Sequence, residues 1–222
     1  MIKVENIGVF NFEGAIRGLR NPMNSWDKSD SFNCKIHCED CDLGERGYSK
    51  CAKYYIGEND LDLMRRLFKA GTEHRKYLRQ IFVSMDIVAP LYWWKEFDTY
   101  KVGTVSNSCS TMHKIAAKKF TFDDFSNEHL TDGATDALSD LIDELNLQRD
   151  LWLDTKEKCY WWGMIQLLPS SYNQRRTITM NYENVFSIIK QRTGHKLDEW
   201  NELVEILKTL PYVKEIGGMD EK

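Results

Sequence analysis

Four cysteines near the start of the chain have a spacing that suits one shared metal ion. Two residues separate Cys38 from Cys41, and the flanking Cys34 and Cys51 complete a group of four. A two-residue gap lets two thiolates contact the same tetrahedral ion, so this spacing indicates a structural zinc site with no open position for water. Free thiols and disulfides are the alternatives, and His37 is either a bystander or a substitute ligand.

A second group of polar side chains follows a short aromatic segment near the middle of the chain. The segment TVSNSCST, from Thr104 to Thr111, has seven small polar or thiol side chains in eight positions. Small polar residues let backbone amides and hydroxyls approach a ligand, so we interpret the segment as a binding loop. Cys109 has no assured cation beside it, and we interpret it as a packing residue and not as a nucleophile.

Basic side chains occur on both sides of this segment. His74, Arg75 and Arg79 precede the central strand, and the adjacent Arg175 and Arg176 stand in a predicted loop. Two cations are enough to hold a phosphate through charge-assisted hydrogen bonds. The alternative is that each of them belongs to an ordinary solvated surface.

The segment 21–31 has the Asn-Pro, Ser and Asp composition of a loop. It contains Trp26 and follows Arg20, so one interpretation is a loop that faces a substrate. The other interpretation is an ordinary surface connection, and composition alone decides little between the two.

Hydrophobic periodicity predicts the elements that must position these groups. Alternating apolar residues predict one strand over 2–12 and a second that begins at Ile81 and ends at Pro90. Gly14 and Gly18, after the first strand, mark either a turn or a close backbone approach. Asn59 or Asp60 is the predicted cap of the first long helix. The predicted helices cover 58–70, 72–80, 90–97, 134–145, 179–192 and 196–210, and a loop is predicted over 170–176.

Composition limits the class of protein. The chain has 222 residues, of which 42% are hydrophobic and 29% charged, with a net charge of −4. We expect a single domain over residues 1–222 with a Cys-rich insertion at about 33–55.

No apolar run approaches the roughly 18 residues of a membrane helix, and no signal-peptide pattern is present, so we expect a cytoplasmic protein. The mild acidity argues against a DNA or RNA polymer as partner but leaves room for a mononucleotide.

Two blocks of the sequence resemble the flavin-dependent thymidylate synthases. The block from Ala89 to Thr111 is similar to the family's strand, Ala-Pro, aromatic helix and signature Arg-His-Arg-x-x-Ser-x-Asn-Glu-x-Ser-x-Arg. The block from Leu167 to Leu203 is similar to the family's Leu-Pro turn, its Thr and Asn, a long helix that ends in Leu-Arg, and a following His. The two blocks stand in the order found in the family.

Most charged residues of the signature are replaced in this chain. Lys101 keeps the only charge of the Arg-His-Arg triplet, and the signature Glu and final Arg are absent, so no catalytic residue is assigned. A register shifted by one residue matches Asn107 and Ser110. In the second block Arg192 matches a phosphate-binding arginine, and His195 lies one residue from the matching histidine. The ungapped match falls on Thr99, Tyr100, Lys101, Thr104, Ser106, Asn107, Cys109 and Thr111.

The resemblance implies an α/β (α+β) fold with a mixed sheet flanked by helices, and a homotetramer with sites between subunits. It also implies FAD and the reductive methylation of dUMP to dTMP, with methylenetetrahydrofolate as carbon donor, NADPH as reductant and reduced flavin in place of a protein nucleophile. The nucleotide-binding residues expected are Lys101, Thr104, Ser106, Asn107, Arg175, Arg176 and Arg192. The cofactor-binding residues expected are Arg79, Lys95, Tyr100, Asn181 and His195.

Two other functions are compatible with the sequence. A protein that has lost the flavin chemistry would bind or sequester a nucleotide without catalysis. A zinc-stapled structural protein would use the cysteine group and ignore nucleotides.

Overall fold

The computed structural model of the protein describes residues 2–34 and 53–219. Its strands are β1 (Lys3–Phe10), β2 (Phe32–Asn33), β3 (Tyr54–Tyr55), β4 (Phe82–Pro90), β5 (Thr104–Ser108) and β6 (Asn173–Asn181). Its helices are α1 (Phe12–Arg20), α2 (Glu58–Lys69), α3 (Leu91–Phe97), α4 (Thr111–Lys114), α5 (Asp132–Thr155), α6 (Lys158–Leu167), α7 (Tyr182–Arg192), α8 (Asp198–Lys208) and α9 (Val213–Gly217). No helix in these two ranges is long and apolar enough to cross a bilayer.

Four strands form one sheet in the order β1-β4-β6-β5. Along β4 the side chains of Val83, Met85, Ile87 and Ala89 are at most 1% exposed, which is the alternation expected of a strand with one buried face. The short strands β2 and β3 form a separate antiparallel pair, in which Phe32 faces Tyr55. The combination of helices and sheet confirms the expected mixed α/β class.

The chain divides into two compact units. The first unit comprises Met1–Glu5, Asp86–Tyr100 and Ser106–Thr177. The second comprises Asn6–Met85, Lys101–Val105 and Ile178–Lys222. Each of β1, β4, β5 and β6 therefore contributes residues to both units.

The first unit has an aliphatic and aromatic core. Leu138, Ile142 and Leu145 follow helical spacing along α5 and are buried in one cluster with Met164 of α6. In α3 the rings of Trp93 and Phe97 are stacked, with centroids 5.2 Å apart. The adjacent Trp94 is 1% exposed, and its indole N–H donates to the carbonyl oxygen of Gln174 at 3.0 Å.

The second unit has its own core around Phe12, the first residue of α1. The Phe12 ring contacts Tyr182 and Tyr212 edge-on, with centroids 5.7 and 5.6 Å away. Trp200 of α8 is completely buried. Burial raises the pKa of Tyr182 well above its ordinary value, so its hydroxyl stays protonated and donates to the carbonyl oxygen of Pro211 at 2.7 Å.

Two segments expected as loops belong to the sheet. Residues Thr104–Ser108 form β5, and the expected loop 170–176 enters β6 at Asn173. Both predictions were wrong because pairing with a neighbouring strand overrides the local preference of Ser, Thr and Asn for turns.

Other predicted boundaries also need correction. The helix expected over 179–192 begins at Tyr182, because Asn181 caps it by accepting a hydrogen bond from the N–H of Asn184 at 3.1 Å. The helix expected over 72–80 is a 3₁₀ turn at Lys76–Gln80. Gly14 and Gly18 lie inside α1 and do not mark a turn. Both mark the alternative, a close approach, since an added Cβ would clash with the Asn11 side chain at Gly14 and with the Gln80 side chain at Gly18.

The start of α2 was also predicted with the wrong cap. Asp30, distant in sequence, accepts hydrogen bonds from the N–H groups of Asn59 at 2.9 Å and Asp60 at 3.2 Å. A cap supplied by a distant residue satisfies the same unpaired N–H groups as a local one. Asn59 and Asp60 are therefore the capped residues and not the caps.

Candidate functional site

Arg175 and Arg176 are adjacent in β6 and point in opposite directions, as neighbours in a strand do. Arg175 donates to Asp86 at 2.7 Å and reaches Glu5 at 3.2 Å. The hydrogen bond to Asp86 raises the pKa of the Arg175 guanidinium above its ordinary value. Two carboxylates therefore compensate the charge of Arg175.

Arg176 is held by three neighbours. Its guanidinium carbon lies 4.3 Å from the centroid of the Trp94 ring. Its Nη1 donates to Asp98 at 2.8 Å, and its Nε donates to the Oε1 of Gln174 at 2.9 Å. These contacts fix the orientation of Arg176 and compensate its charge, so neither cation of β6 is uncompensated.

The end of the polar segment in the first unit is fixed by the backbone of β6. The N–H of Cys109 donates to the carbonyl oxygen of Arg175 at 2.9 Å, and Gln174 Nε2 donates to the carbonyl oxygen of Cys109 at 2.9 Å. The side chains of Ser106 and Asn107 are exposed. Both are therefore accessible to a ligand.

Two predicted cofactor residues belong to or follow α3. Lys95 is exposed. The ring of Tyr100 packs near that of Phe97, with centroids 6.2 Å apart. The third, Arg79, is exposed in the second unit and donates to the carbonyl oxygen of Thr72 at 3.4 Å.

The second unit brings Lys101, Thr104 and Asn181 together. Gly103 has a φ of 75°, and a Cβ atom there would lie 2.6 Å from Asn181 Nδ2. Asn184 Nδ2 donates to the carbonyl oxygen of Val102 at 2.8 Å. The turn that carries Lys101 and Thr104 is therefore packed against the start of α7. Asn184 was not predicted, and only its position three residues after the cap could have indicated it.

This end of α7 has features that suit an anion. The hydroxyl of Thr104 is buried and has no hydrogen-bond partner among the described residues. Lys101 is exposed and forms no ion pair with any of them. Glu183 in the first turn is compensated by Arg75, which it binds at 2.7 and 3.1 Å. The positive end of the helix dipole and Lys101 together favour a phosphate or carboxylate.

Arg192 and His195 form a second group at the other end of α7. The Arg192 guanidinium lies 4.3 Å from the Trp200 ring centroid, and its Nη1 lies 3.1 Å from His195 Nε2. His195 Nδ1 accepts a hydrogen bond from the N–H of Leu197 at 3.1 Å. The positive charge of Arg192, held against Trp200 and His195, suits an anionic group beyond the end of α7.

The two groups cannot share one phosphate of the same chain. Helix α7 has 11 residues, which corresponds to a length of about 16 Å at about 1.5 Å per residue. The predicted residues of the second unit therefore divide between two separate places.

Only one of the four expected zinc ligands belongs to the described residues. Cys38, Cys41 and Cys51 lie outside the described residues, and Cys34 is half-buried. Within residues 2–34 and 53–219, no group of three His, Cys, Asp or Glu side chains is arranged to hold a metal ion. The zinc site stays a prediction.

An ion pair that the sequence did not indicate joins Arg20 of α1 to Asp60 of α2. Arg20 Nε donates to Asp60 at 2.6 Å, and the two side chains are 5% and 0% exposed. Burial alone would raise the pKa of Asp60, but hydrogen bonds from Ser29, Ser31 and Arg20 outweigh it and lower that pKa below its ordinary value. Arg20 also lines a cavity together with Trp26.

Two solved structures share the fold of this chain. One is thymidylate synthase X from Helicobacter pylori with FAD and dUMP, with a TM-score of 0.63, 14% sequence identity, and coverage of 97% of this chain and 96% of that one. The other is the flavin-dependent thymidylate synthase of the same organism complexed with FAD and dUMP, with a TM-score of 0.61, 14% identity, and coverage of 95% and 96%. No family model and no curated protein sequence matches the chain.

The fold is therefore that of the flavin-dependent thymidylate synthases, along nearly the whole chain. This confirms the resemblance expected from the two sequence blocks. At 14% identity the likeness establishes the fold alone.

Proposed function

We propose that this chain binds a pyrimidine deoxynucleotide, with dUMP as the principal candidate. The observation that carries the proposal is the near full-length likeness to structures that contain FAD and dUMP. Two local features support it. Lys101 and Thr104, whose hydroxyl is unpartnered among the described residues, flank the turn that packs against the start of α7, and Arg192 carries a positive charge beyond its end.

FAD is the proposed cofactor. When bound, it would supply the redox chemistry of a reductive methylation of dUMP. The residues that would hold FAD or the nucleotide beside it are Asn181 and Thr104, and the positive end of α7 suits one of the ligands' phosphate groups. Lys101 would hold the phosphate by charge, and the Asn184 side chain would keep the turn in place.

A homotetramer with sites between subunits follows from the same proposal. The two donor groups are about 16 Å apart along α7, so in one chain they serve different phosphates. A site that combines both groups for one nucleotide needs the start of α7 from one copy and the end of α7 from another. Light scattering of the purified protein tests this, and a monomer that binds dUMP would contradict it.

A non-catalytic nucleotide-binding protein is the second candidate. The pairing of Arg175 with Asp86 and of Arg176 with Asp98 favours it, because compensated cations stabilise less of the charge that develops in a reaction. Lys101 is also the only charge left of the Arg-His-Arg triplet. Such a protein would bind dUMP without turnover.

Ligand binding and turnover separate these functions. The purified protein is first examined for flavin absorbance, and then given dUMP, methylenetetrahydrofolate and NADPH. Flavin binding with loss of dUMP supports the synthase, and dUMP binding by colourless protein supports the non-catalytic alternative. Thermal unfolding gives an independent measure, because a ligand at 100 times its Kd stabilises a fold by about 2.7 kcal/mol. No shift with dUMP or any other nucleotide would contradict the proposed function.

A further inference from the structure

The second unit contains a cavity of about 190 Å³ whose lining includes Glu13, Ile16, Arg17, Arg20, Trp26 and Tyr54. We infer that it binds the carboxylate of a small aromatic acid. This inference does not depend on the proposed nucleotide function, because none of these residues belongs to the groups at the ends of α7.

Arg20 supplies a buried donor that lacks an acceptor. Its Nε donates to Asp60 at 2.6 Å, and its Nη1 donates to the Ser25 hydroxyl at 3.4 Å. Its Nη2 is buried and has no hydrogen-bond partner among the described residues. The whole side chain is only 5% exposed, so bulk water does not supply that partner. Buried donors are nearly always paired, so the exception points to an acceptor oxygen contributed by a ligand.

The rest of the polar network holds Arg20 in place. Asp60 accepts hydrogen bonds from the hydroxyls of Ser29 and Ser31, both at 2.6 Å, as well as from Arg20. A guanidinium fixed in this way holds Nη2 in one orientation, as a donor to a single carboxylate oxygen.

The charges around the cavity suit a monoanion. Arg17 is exposed and forms no ion pair with a described residue, whereas Asp60 already compensates Arg20. Glu13 also lines the cavity and would repel a second negative charge. A carboxylate with one charge is therefore favoured over a phosphate dianion.

An aromatic ring fits the remaining surface. The Trp26 indole is 52% exposed, and its N–H donates to Asn21 at 2.8 Å, which fixes its orientation. Ile16 adds a buried apolar wall. An apolar cavity of about 150 Å³ holds benzene, so 190 Å³ accommodates one six-membered ring with a carboxylate.

Tyr54 stays neutral beside such an anion. Burial, followed by the negative charges of Asp60 and Glu13, raises the pKa of Tyr54 to about 12. Its hydroxyl is therefore protonated at neutral pH and adds no negative charge to the cavity.

Benzoate is the probe that tests this inference, with benzamide as its neutral counterpart. The Kd for the full-length protein is measured by calorimetry, and the indole N–H of Trp26 is followed by NMR, assigned with Trp26→Leu. We expect benzoate to shift that indole signal and to bind at least tenfold more tightly than benzamide. Arg17→Gln should raise the benzoate Kd about tenfold through the loss of a charge-assisted contact, and Trp26→Leu should raise it severalfold.

Both variants alter exposed residues, so the fold is expected to persist, and matched controls exist. Lys69→Gln removes an exposed charge on α2, and Trp162→Leu removes an exposed indole on α6; neither should change the benzoate Kd. The inference is overturned if benzoate does not bind, if benzamide binds equally well, or if Arg17→Gln and Trp26→Leu bind benzoate as the wild type does. Tighter binding of inorganic phosphate than of benzoate would also overturn it.

Discussion

The guanidinium of Arg176 lies over the indole of Trp94, with its carbon atom 4.3 Å from the ring centroid. The same guanidinium donates to Asp98 at 2.8 Å. Trp94 is itself anchored by its hydrogen bond to the Gln174 backbone. Arg176 is thus held in one orientation. Its positive charge, which would attract a phosphate, is already paired with Asp98.

Removal of that compensating carboxylate should strengthen nucleotide binding. In Asp98→Asn, Arg176 keeps its stacking on Trp94 and gains an uncompensated charge. Asp98 is 51% exposed, so the gain is limited to about 1 kcal/mol, or about fivefold in the Kd for dUMP. Calorimetric titration measures it, with Asp62→Asn, an exposed carboxylate paired with Arg66, as the control. Equal Kd values for Asp98→Asn and the wild type would remove Arg176 from the nucleotide site.

The Arg20–Asp60 pair should be a major contributor to stability. Asp60→Asn leaves the Arg20 guanidinium buried without its counter-charge, which destabilises a protein by about 3–5 kcal/mol. Urea denaturation gives the free energy of unfolding. Asp62→Asn changes an exposed pair in the same helix and should lower that free energy by less than about 1 kcal/mol. Similar losses in the two variants would contradict the role assigned to the buried pair.

The same carboxylate predicts a pH dependence. The folded protein lowers the pKa of Asp60 below its ordinary value of 3.8, so ionised Asp60 stabilises the fold above that pH. The contribution is lost as the pH falls below 3.8 towards the lowered pKa. The difference in unfolding free energy between wild type and Asp60→Asn should therefore be constant near neutral pH and narrow below about pH 4. A difference that widened on acidification would contradict this assignment.

Much of the fold was predictable because local periodicity and burial agree. The alternation around Ile87 marked β4, and the spacing of Leu138, Ile142 and Leu145 marked α5, because each pattern records the buried face of one element. β5 and β6 were both missed, because β5 consists mainly of small polar residues and β6 begins with Asn173, Gln174 and two arginines, so neither begins with such a pattern. Their strand structure depends on a neighbouring strand that is distant in sequence.

The pairing of charges around the candidate site could not be predicted from the sequence, and the site residues themselves stay predictions. The family resemblance named Lys101, Thr104 and Arg192, but no sequence pattern indicates that Arg176 is paired with Asp98. The Arg20–Asp60 pair could not be predicted from the sequence either, because its two residues are 40 positions apart in the chain. Contacts between distant residues decide which cations keep an uncompensated charge.

Gly103 should be intolerant of a side chain. Gly103→Ala forces a non-glycine residue to a φ of 75° and brings its Cβ to 2.6 Å from Asn181. We expect a loss of about 1–3 kcal/mol of stability and weaker dUMP binding, because the turn that carries Lys101 must move. Thermal denaturation and calorimetry measure the two effects.

A second glycine provides the control. Gly133 lies in the first turn of α5 with no atom within 4 Å of an added Cβ, so Gly133→Ala should be neutral or stabilise by about 0.5–1 kcal/mol. A Gly103→Ala variant as stable as Gly133→Ala would show that the turn is not packed against α7 as described.

The central claim is that the chain binds dUMP with the help of the cation beside the start of α7. Its most direct test is a calorimetric titration of the full-length protein with dUMP, using wild type, Lys101→Gln and the control Lys69→Gln, an exposed lysine on α2. The account predicts binding by the wild type, an unchanged Kd in Lys69→Gln, and a Kd raised about tenfold or more in Lys101→Gln through loss of a charge-assisted contact. No binding of dUMP by the wild type, with or without added FAD, would contradict it.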